Sequence, residues 1–183
     1  MKPNLSVFDN SWYHAGRSIF VQAAWFFLGL PLMRCAVLPG SGVRAHVLRL
    51  FGSMLGKGVV IKPGVRVKYP WLLTVGDHCW IGEDVWIDNI ALVNLGSNVC
   101  ISQGAYLCTG NHDWSDPAFA LKPKPIELRD GSWVAARSVI CPGVTVGECA
   151  IAAAGSVVTN SIPAYEIYSG NPARYLRKRV FAG

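Results

Sequence analysis

From Val59 to Val158 an aliphatic residue recurs every six positions. Val75, Ile81 and Ile87 head the segments "VGDHCW", "IGEDVW" and "IDNIAL". Leu95, Ile101 and Leu107 continue the beat, and Val134, Ile140, Val146, Ala152 and Val158 carry it to its end. Val59 and Val65 open it. Gly, Ala or Asp often follows the aliphatic residue, and a small or β-branched residue often stands four places after it. A period of six fits neither the 3.6 of an amphipathic helix nor the 2 of a hairpin strand. A three-sided prism accounts for it. Each side is a short parallel strand with one aliphatic residue pointing inward. Each corner is a tight turn that favours Gly, Asn or Asp, because these tolerate positive φ. Stacked coils then pair each other's backbone groups. A β-sandwich would show irregular spacing and Asn-Gly hairpin signals, and these are missing between strands. The expectation is an all-β solenoid.

The beat has two interruptions. Ile87 to Leu95 takes eight residues, a slip of two. After Leu107 the beat stops, and residues 113–127, "DWSDPAFALKPKPIE", carry three prolines and no period. They read as a loop thrown out from one corner, with His112 at its root. An excursion from so regular a scaffold usually has a functional reason. The chain therefore divides into an N-terminal helical, apolar segment at 1–56, a solenoid at 57–163 with the inserted loop 113–127, and a basic C-terminal tail at 164–183 expected to form a short helix.

The N-terminal segment contains an uncharged run from Ile19 to Met33, "IFVQAAWFFLGLPLM". It is too short for the roughly 20 residues that cross a bilayer. It starts too late for a signal peptide and lacks a cleavage site. Arg17, Arg34, Arg44 and Arg49 flank it, and Trp12, Trp25, Phe26 and Phe27 enrich it. That pattern suits a helix in a membrane interface, through residues 12–38, and suits equally a cap packed on the solenoid. The chain has 183 residues and a formal charge of +6. Residues 1–57 hold six Lys/Arg against one acid, 58–173 hold seven against ten, and 174–183 hold four against none. Basic ends on a mildly acidic body speak against nucleic acid and for anionic ligands or an anionic membrane surface. The six cysteines form no CxxC and no zinc spacing, and are expected to be reduced small apolar residues.

The stretch "GSWVAARSVICPGVTVGECAIAAAGSVVTNSIPAYEIYSGNPARYLRKR" resembles the end of the maltose and sugar O-acetyltransferases. Upstream, "RLFGSMLGKGVVIKPGVRVKYPWLLTVGDHCWIGEDVWI" and "NVCISQGAYLCTGNHD" are similar to the colanic acid biosynthesis acetyltransferases of bacterial exopolysaccharide pathways. Over residues 57–180 the chain thus resembles the hexapeptide-repeat acetyltransferases, whose fold is a left-handed parallel β-helix. The resemblance implies transfer of acetyl from acetyl-CoA to a sugar hydroxyl, a homotrimer with sites built between chains, and no metal. The hexapeptide carbonic anhydrases hold zinc with three histidines, but only His78 and His112 lie in these coils. His14 and His46 precede them, and His78 reads as a corner residue.

Acyl transfer to a hydroxyl needs a base, an oxyanion donor and alignment. Neutral imidazole can take a proton near neutrality. His112 occupies the position of the family's general base, which implies direct transfer without an acyl-enzyme. Adjacent Asp113 is expected to orient the ring or bind the acceptor. The slip at "WIDNIAL" occupies the place of the family's acceptor-binding polar residue, so Asp88 and Asn89 are candidates. The resemblance further assigns Ala136, Ala154 and Thr159 to pantetheine, and Arg174 and Arg177 to the phosphates and adenosine, where guanidinium suits the anion. Asn160 departs from the Lys that relatives often carry. The implied setting is cytoplasmic, peripheral on the inner face of the plasma membrane, with a sugar or lipid-linked glycan as acceptor. A xenobiotic O-acetyltransferase and a non-catalytic solenoid scaffold are the other readings.

Overall fold

The computed structural model describes residues 2–38 and 40–182. The six-residue beat becomes three parallel sheets arranged as the sides of a prism. The first side stacks Met54–Leu55, Leu73–Val75, Val93–Leu95, Ile126–Leu128 and Thr145–Val146. The second stacks Val60–Ile61, Trp80–Ile81, Cys100–Ile101, Trp133–Val134 and Ile151–Ala152. The third stacks Arg66–Val67, Trp86–Asp88, Tyr106–Cys108, Val139–Ile140 and Val157–Val158.

Register puts like on like. Ile61, Ile81, Ile101, Val134 and Ala152 are partners in successive coils of the second side. All five are fully buried. Residues four places after these strand positions, such as Val65, Val85 and Ala105, also point inward and are fully buried. Val65 thus belongs to this second inward position, and Ile61 and Val67 hold the strand positions of the first coil.

Two of the three corners use the left-handed backbone region. Gly58, His78, Asn98, Gly131 and Cys149 form one column, with φ between 54° and 66°. Gly64, Asp84, Gly104, Arg137 and Gly155 form the other. The side chains at His78, Cys149 and Arg137 cost about 1–2 kcal/mol each in that region, which coil stacking offsets. At Gly58 a Cβ would lie 2.4 Å from Nδ1 of His78, so only glycine fits. The third corner has no such column and takes all the insertions. Val67 to Val75 and Ile87 to Leu95 each take eight residues, Leu107 to Leu128 takes twenty-one, and Ile140 to Val146 takes six. The eight-residue slip in the sequence is this corner. The large excursion rejoins the first side at Ile126, two residues earlier than expected, because Ile126 and Glu127 pair with Val93 and Asn94.

The N-terminal segment is helical from Ile19 to Arg34, with a π turn over Trp25–Gly29, and again over Ser41–Leu50. Trp25, Met33 and Leu48 are buried against the prism, and the Trp25 indole donates to the Val67 carbonyl at 3.0 Å. Buried Arg44 donates to the carbonyls of Cys35 at 2.7 Å and Gly40 at 3.1 Å, closing the turn between the helices. Phe20 and Leu28 lie on the outer face, Ile19, Phe26 and Phe27 border a groove between helix and prism, and all five are exposed. Among the described residues no helix is long and apolar enough to cross a membrane.

The expected C-terminal helix is not formed. Glu166–Gly170 and Ala173–Lys178 make an antiparallel hairpin, and its first arm pairs with Ile151–Ala152. Pro172 lacks a donor and pushes Asn171 away from helical backbone, and Gly170 sits at φ 101°. The last solenoid coil meanwhile offers an open row of backbone groups that only a strand can pair. The six cysteines are free, with Cys79 buried and the others half-buried.

Candidate active site

His112 stands where the longest excursion leaves the third side. Its backbone bridges Leu121 antiparallel. Asp113 N–H donates to Ala120 at 2.8 Å and Lys122 N–H to Asn111 at 2.7 Å, so the loop leaves and returns as a short ribbon. The imidazole stacks on Phe119, with ring centroids 4.4 Å apart at 11°, and Phe8 from the N-terminal segment closes in at 5.6 Å. The Nδ1 atom lies 2.7 Å from the Phe119 carbonyl. A carbonyl oxygen only accepts, so Nδ1 carries the proton in the neutral ring. The Nε2 lone pair is then free, and no protein group among the described residues bonds to it.

Phe119 holds that carbonyl in place from an unusual backbone, φ 56°. Its N–H donates to Asp116 at 2.9 Å, and Asp116 in turn accepts from Ala118 N–H. No sequence signal marked Phe119, because phenylalanine is not a residue that favours positive φ. The proposed orienting role of Asp113 passes to this carbonyl. The Asp113 carboxylate is committed elsewhere, 2.6 Å from Lys122 Nζ and 2.6 Å from Ser115 Oγ. The Lys122 and Ser115 hydrogen bonds hold its carboxyl well below the usual carboxylate range. Asp113 therefore fastens the loop ribbon.

Asn89 also differs from expectation. It is fully buried, its Nδ2 donates to the Tyr69 carbonyl at 2.7 Å, and its Oδ1 accepts from Tyr69 N–H at 3.0 Å. The corner insertion leaves Tyr69 without a strand partner, and the Asn89 amide supplies both missing bonds. It has no face turned to a ligand. Asp88 does have one. Its carboxylate meets Lys68 at 3.1 Å and the Tyr106 hydroxyl at 3.2 Å. Burial, chiefly, raises the Tyr106 hydroxyl above its ordinary range. The Tyr13 hydroxyl, raised mainly by burial as well, donates to the Ile90 carbonyl at 2.8 Å beside this group. Thr109 N–H and Oγ1 both donate to the Asp88 carbonyl, at 3.2 and 3.0 Å. Asp88 is thus tied to Thr109, three residues before His112. Lys68 stands twenty positions before Asp88, one coil away, and that spacing could have found it.

The positions assigned to the cofactor lie in the two coils that follow the excursion. Ala136 and Ala154 are equivalent corner residues in adjacent coils, tied by Gly155 N–H to the Ala136 carbonyl at 2.9 Å. The hairpin turn reaches the same corner, where Gly170 N–H donates to Ser156 Oγ at 3.2 Å. Arg174 and Arg177 follow on the exposed arm. Thr159 stands at the next corner, after Val157–Val158. Arg179 is spent on structure, donating to the carbonyls of Gly131 and Cys149 at 3.0 Å each.

No family model matches the chain. WcaF of Escherichia coli K12, a candidate colanic acid biosynthesis acetyltransferase by name, is 43% identical over 137 residues, covering 75% of each chain. The galactoside O-acetyltransferase of the same organism is 25% identical over 138 residues, covering 74% of this chain and 68% of its own. The hexapeptide-repeat-containing acetyltransferase VCA0836 of Vibrio cholerae, crystallised with acetyl coenzyme A, superposes with a TM-score of 0.79 at 25% identity over 88% of each chain. Fold, corner excursion and relatives agree, and this chain belongs to the hexapeptide-repeat acetyltransferases.

Proposed function

We propose that the protein transfers an acetyl group from acetyl-CoA to a sugar hydroxyl in the synthesis of an exopolysaccharide or other cell-surface glycan, with His112 as general base. The observation that carries this reading is the locked imidazole. Nδ1–H donates to the Phe119 carbonyl, which leaves Nε2 as the base. Nε2 accepts the proton of the acceptor hydroxyl as its oxygen attacks the thioester carbonyl carbon. The tetrahedral intermediate collapses, the C–S bond breaks, and the imidazolium returns the proton to the leaving thiolate. No covalent acyl-enzyme is needed. Asp88, with Lys68 and Tyr106 fixing its carboxylate, is the group we assign to the acceptor. Pantetheine lies against the small residues Ala136 and Ala154, with Thr159 beyond, and Arg174 and Arg177 take the phosphates.

Homotrimer assembly fits the polarity of the three sides. Outward residues of the first side include Thr74, Asn94, Glu127 and Thr145. Those of the second include Val60, Trp80, Trp133 and Ile151, and those of the third, beyond the part that the N-terminal helix covers, Val139 and Val157. A cyclic trimer joins two different surfaces of each chain that complement one another, and two apolar sides provide them. The exposed aromatic ridge of the N-terminal helix supports a peripheral membrane contact.

Calorimetric titration of acetyl-CoA into the protein, beside the Arg174→Ala/Arg177→Ala double variant, tests the reading. Micromolar binding weakened at least about tenfold by the double change is expected. A folded protein that binds no acetyl-CoA would leave the scaffold reading. Acceptor screening then separates glycan intermediates from free xenobiotics.

A further inference from the structure

The N-terminal helix does not lie flush on the third side of the prism. Between them runs a cavity of about 500 Å³, inside the range of about 300–1,000 Å³ typical of ligand sites. Its walls are Ala23, Phe26 and Leu30 on the helix and the Trp86 ring on the prism. Its polar groups are gathered at one side, where Arg66, Lys68 and Asp88 meet. The Arg66 guanidinium lies over Trp86, 4.5 Å from the ring, and has no carboxylate partner among the described residues. Lys68 pairs with the Asp88 carboxylate, and the Tyr106 hydroxyl donates to it. A second cavity of about 440 Å³ adjoins through Gln22 and Tyr69 and brings Arg17 to the same neighbourhood.

We infer that this groove seats the hydrocarbon chain of an amphiphilic acceptor, a polyprenyl phosphate or diphosphate bearing the sugar to be acetylated. The inference rests on the proposed acetyl transfer and names its substrate class. Three features converge. The walls are apolar along the helix, as a hydrocarbon chain requires. Lys68 is taken up by the one carboxylate, Asp88, and Arg66 and Arg17 remain in surplus, so the cationic end complements a phosphate. Asp88 lines the groove, and its carbonyl is bonded by Thr109, three residues before His112. A chain seated under the helix thus points its head group at the base. The helix ridge outside the groove is exposed, Phe20 at 83% and Leu28 at 63%. Seated in a membrane interface, that ridge lets a lipid chain pass from bilayer to groove without crossing water.

Equilibrium dialysis of the full chain against labelled farnesyl phosphate, farnesol and butyl phosphate separates the contributions of tail and head. Farnesyl phosphate should bind at least about tenfold more tightly than either partial probe. Ala23→Phe fills the groove and should weaken farnesyl phosphate about tenfold, with the acetyl-CoA isotherm unchanged. Arg66→Gln, a surface change that leaves the core intact, should weaken farnesyl phosphate and leave farnesol unaffected. Equal binding of all three probes overturns the inference, as does indifference to both variants. Absence of farnesyl phosphate binding together with a smaller assembly mass for Ala23→Phe by light scattering also overturns it, because a second copy of the chain then fills the groove. Failure of acetyl-CoA to bind the unaltered protein is a separate result and removes the acetyl-transfer reading itself.

Discussion

Asn89→Ala separates a structural from a ligand-binding role at the acceptor corner. The native side chain donates to the Tyr69 carbonyl at 2.7 Å and accepts from its N–H at 3.0 Å. Truncation orphans both backbone groups. An unsatisfied buried group costs about 1–3 kcal/mol. Tyr69 is half-buried, so water reaches part of the gap and the lower half of that range applies to each group. The expected loss is about 2–4 kcal/mol. Asn89→Asp should be no better, because a carboxylate keeps the bond to the Tyr69 N–H but sets a second acceptor against its carbonyl. The assay is denaturant unfolding followed by tryptophan fluorescence at one fixed protein concentration, since assembly would shift the midpoint. The acceptor KM of the folded fraction should stay within about twofold, because no polar atom of Asn89 faces a ligand. Unchanged stability with an acceptor KM raised tenfold would refute the reasoning and return Asn89 to the binding site.

Three further outcomes follow from the geometry. Ile101→Ala removes a fully buried side chain stacked between Ile81 and Val134, and should cost about 2–5 kcal/mol by the same unfolding assay. Gly29→Ala places a Cβ 2.1 Å from the Trp25 ring, so the helix must lift or the indole must move, with an expected loss of about 1–3 kcal/mol and a blue-shift or red-shift of Trp25 emission; an unperturbed protein would mean the π turn relaxes freely. The Asp113 carboxyl is held below its ordinary range, so its clasp with Lys122 is complete above the usual carboxylate range and is lost only as pH falls through the lowered value. Asp113→Asn should therefore speed amide exchange across 113–122 at pH 7, and equal exchange in both proteins there would contradict the clasp.

The solenoid was legible because one aliphatic residue per side repeats so strictly that Ile61, Ile81, Ile101, Val134 and Ala152 can be aligned by counting. The loop root at His112 was legible for the same reason, as the place where counting fails. What escaped was tertiary. Asn89 reads as a ligand-facing corner residue until Tyr69 is seen beside it, one coil away with no strand partner. Asp113 is adjacent to His112 in sequence, but the ribbon turns it toward Lys122. The carbonyl that sets the imidazole comes from Phe119, a residue whose side chain gives no hint of its backbone angle. The C-terminal basic run has helix-compatible residues at Arg174–Arg179, and the unpaired edge of the last coil overrides that preference. The N-terminal run was balanced between cap and membrane helix, and the structure divides it by face, with Trp25 and Met33 inward and Phe20 and Leu28 outward.

The central claim is that Nε2 of His112 takes the acceptor's proton. Single-turnover transfer of labelled acetyl from acetyl-CoA to an acceptor found by screening tests it most directly, comparing the unaltered protein with His112→Ala at equal acetyl-CoA occupancy. Loss of general-base catalysis should slow the chemical step by about 10²–10⁴-fold, with acetyl-CoA affinity unchanged. A His112→Ala protein that transfers acetyl at the native rate would contradict the account.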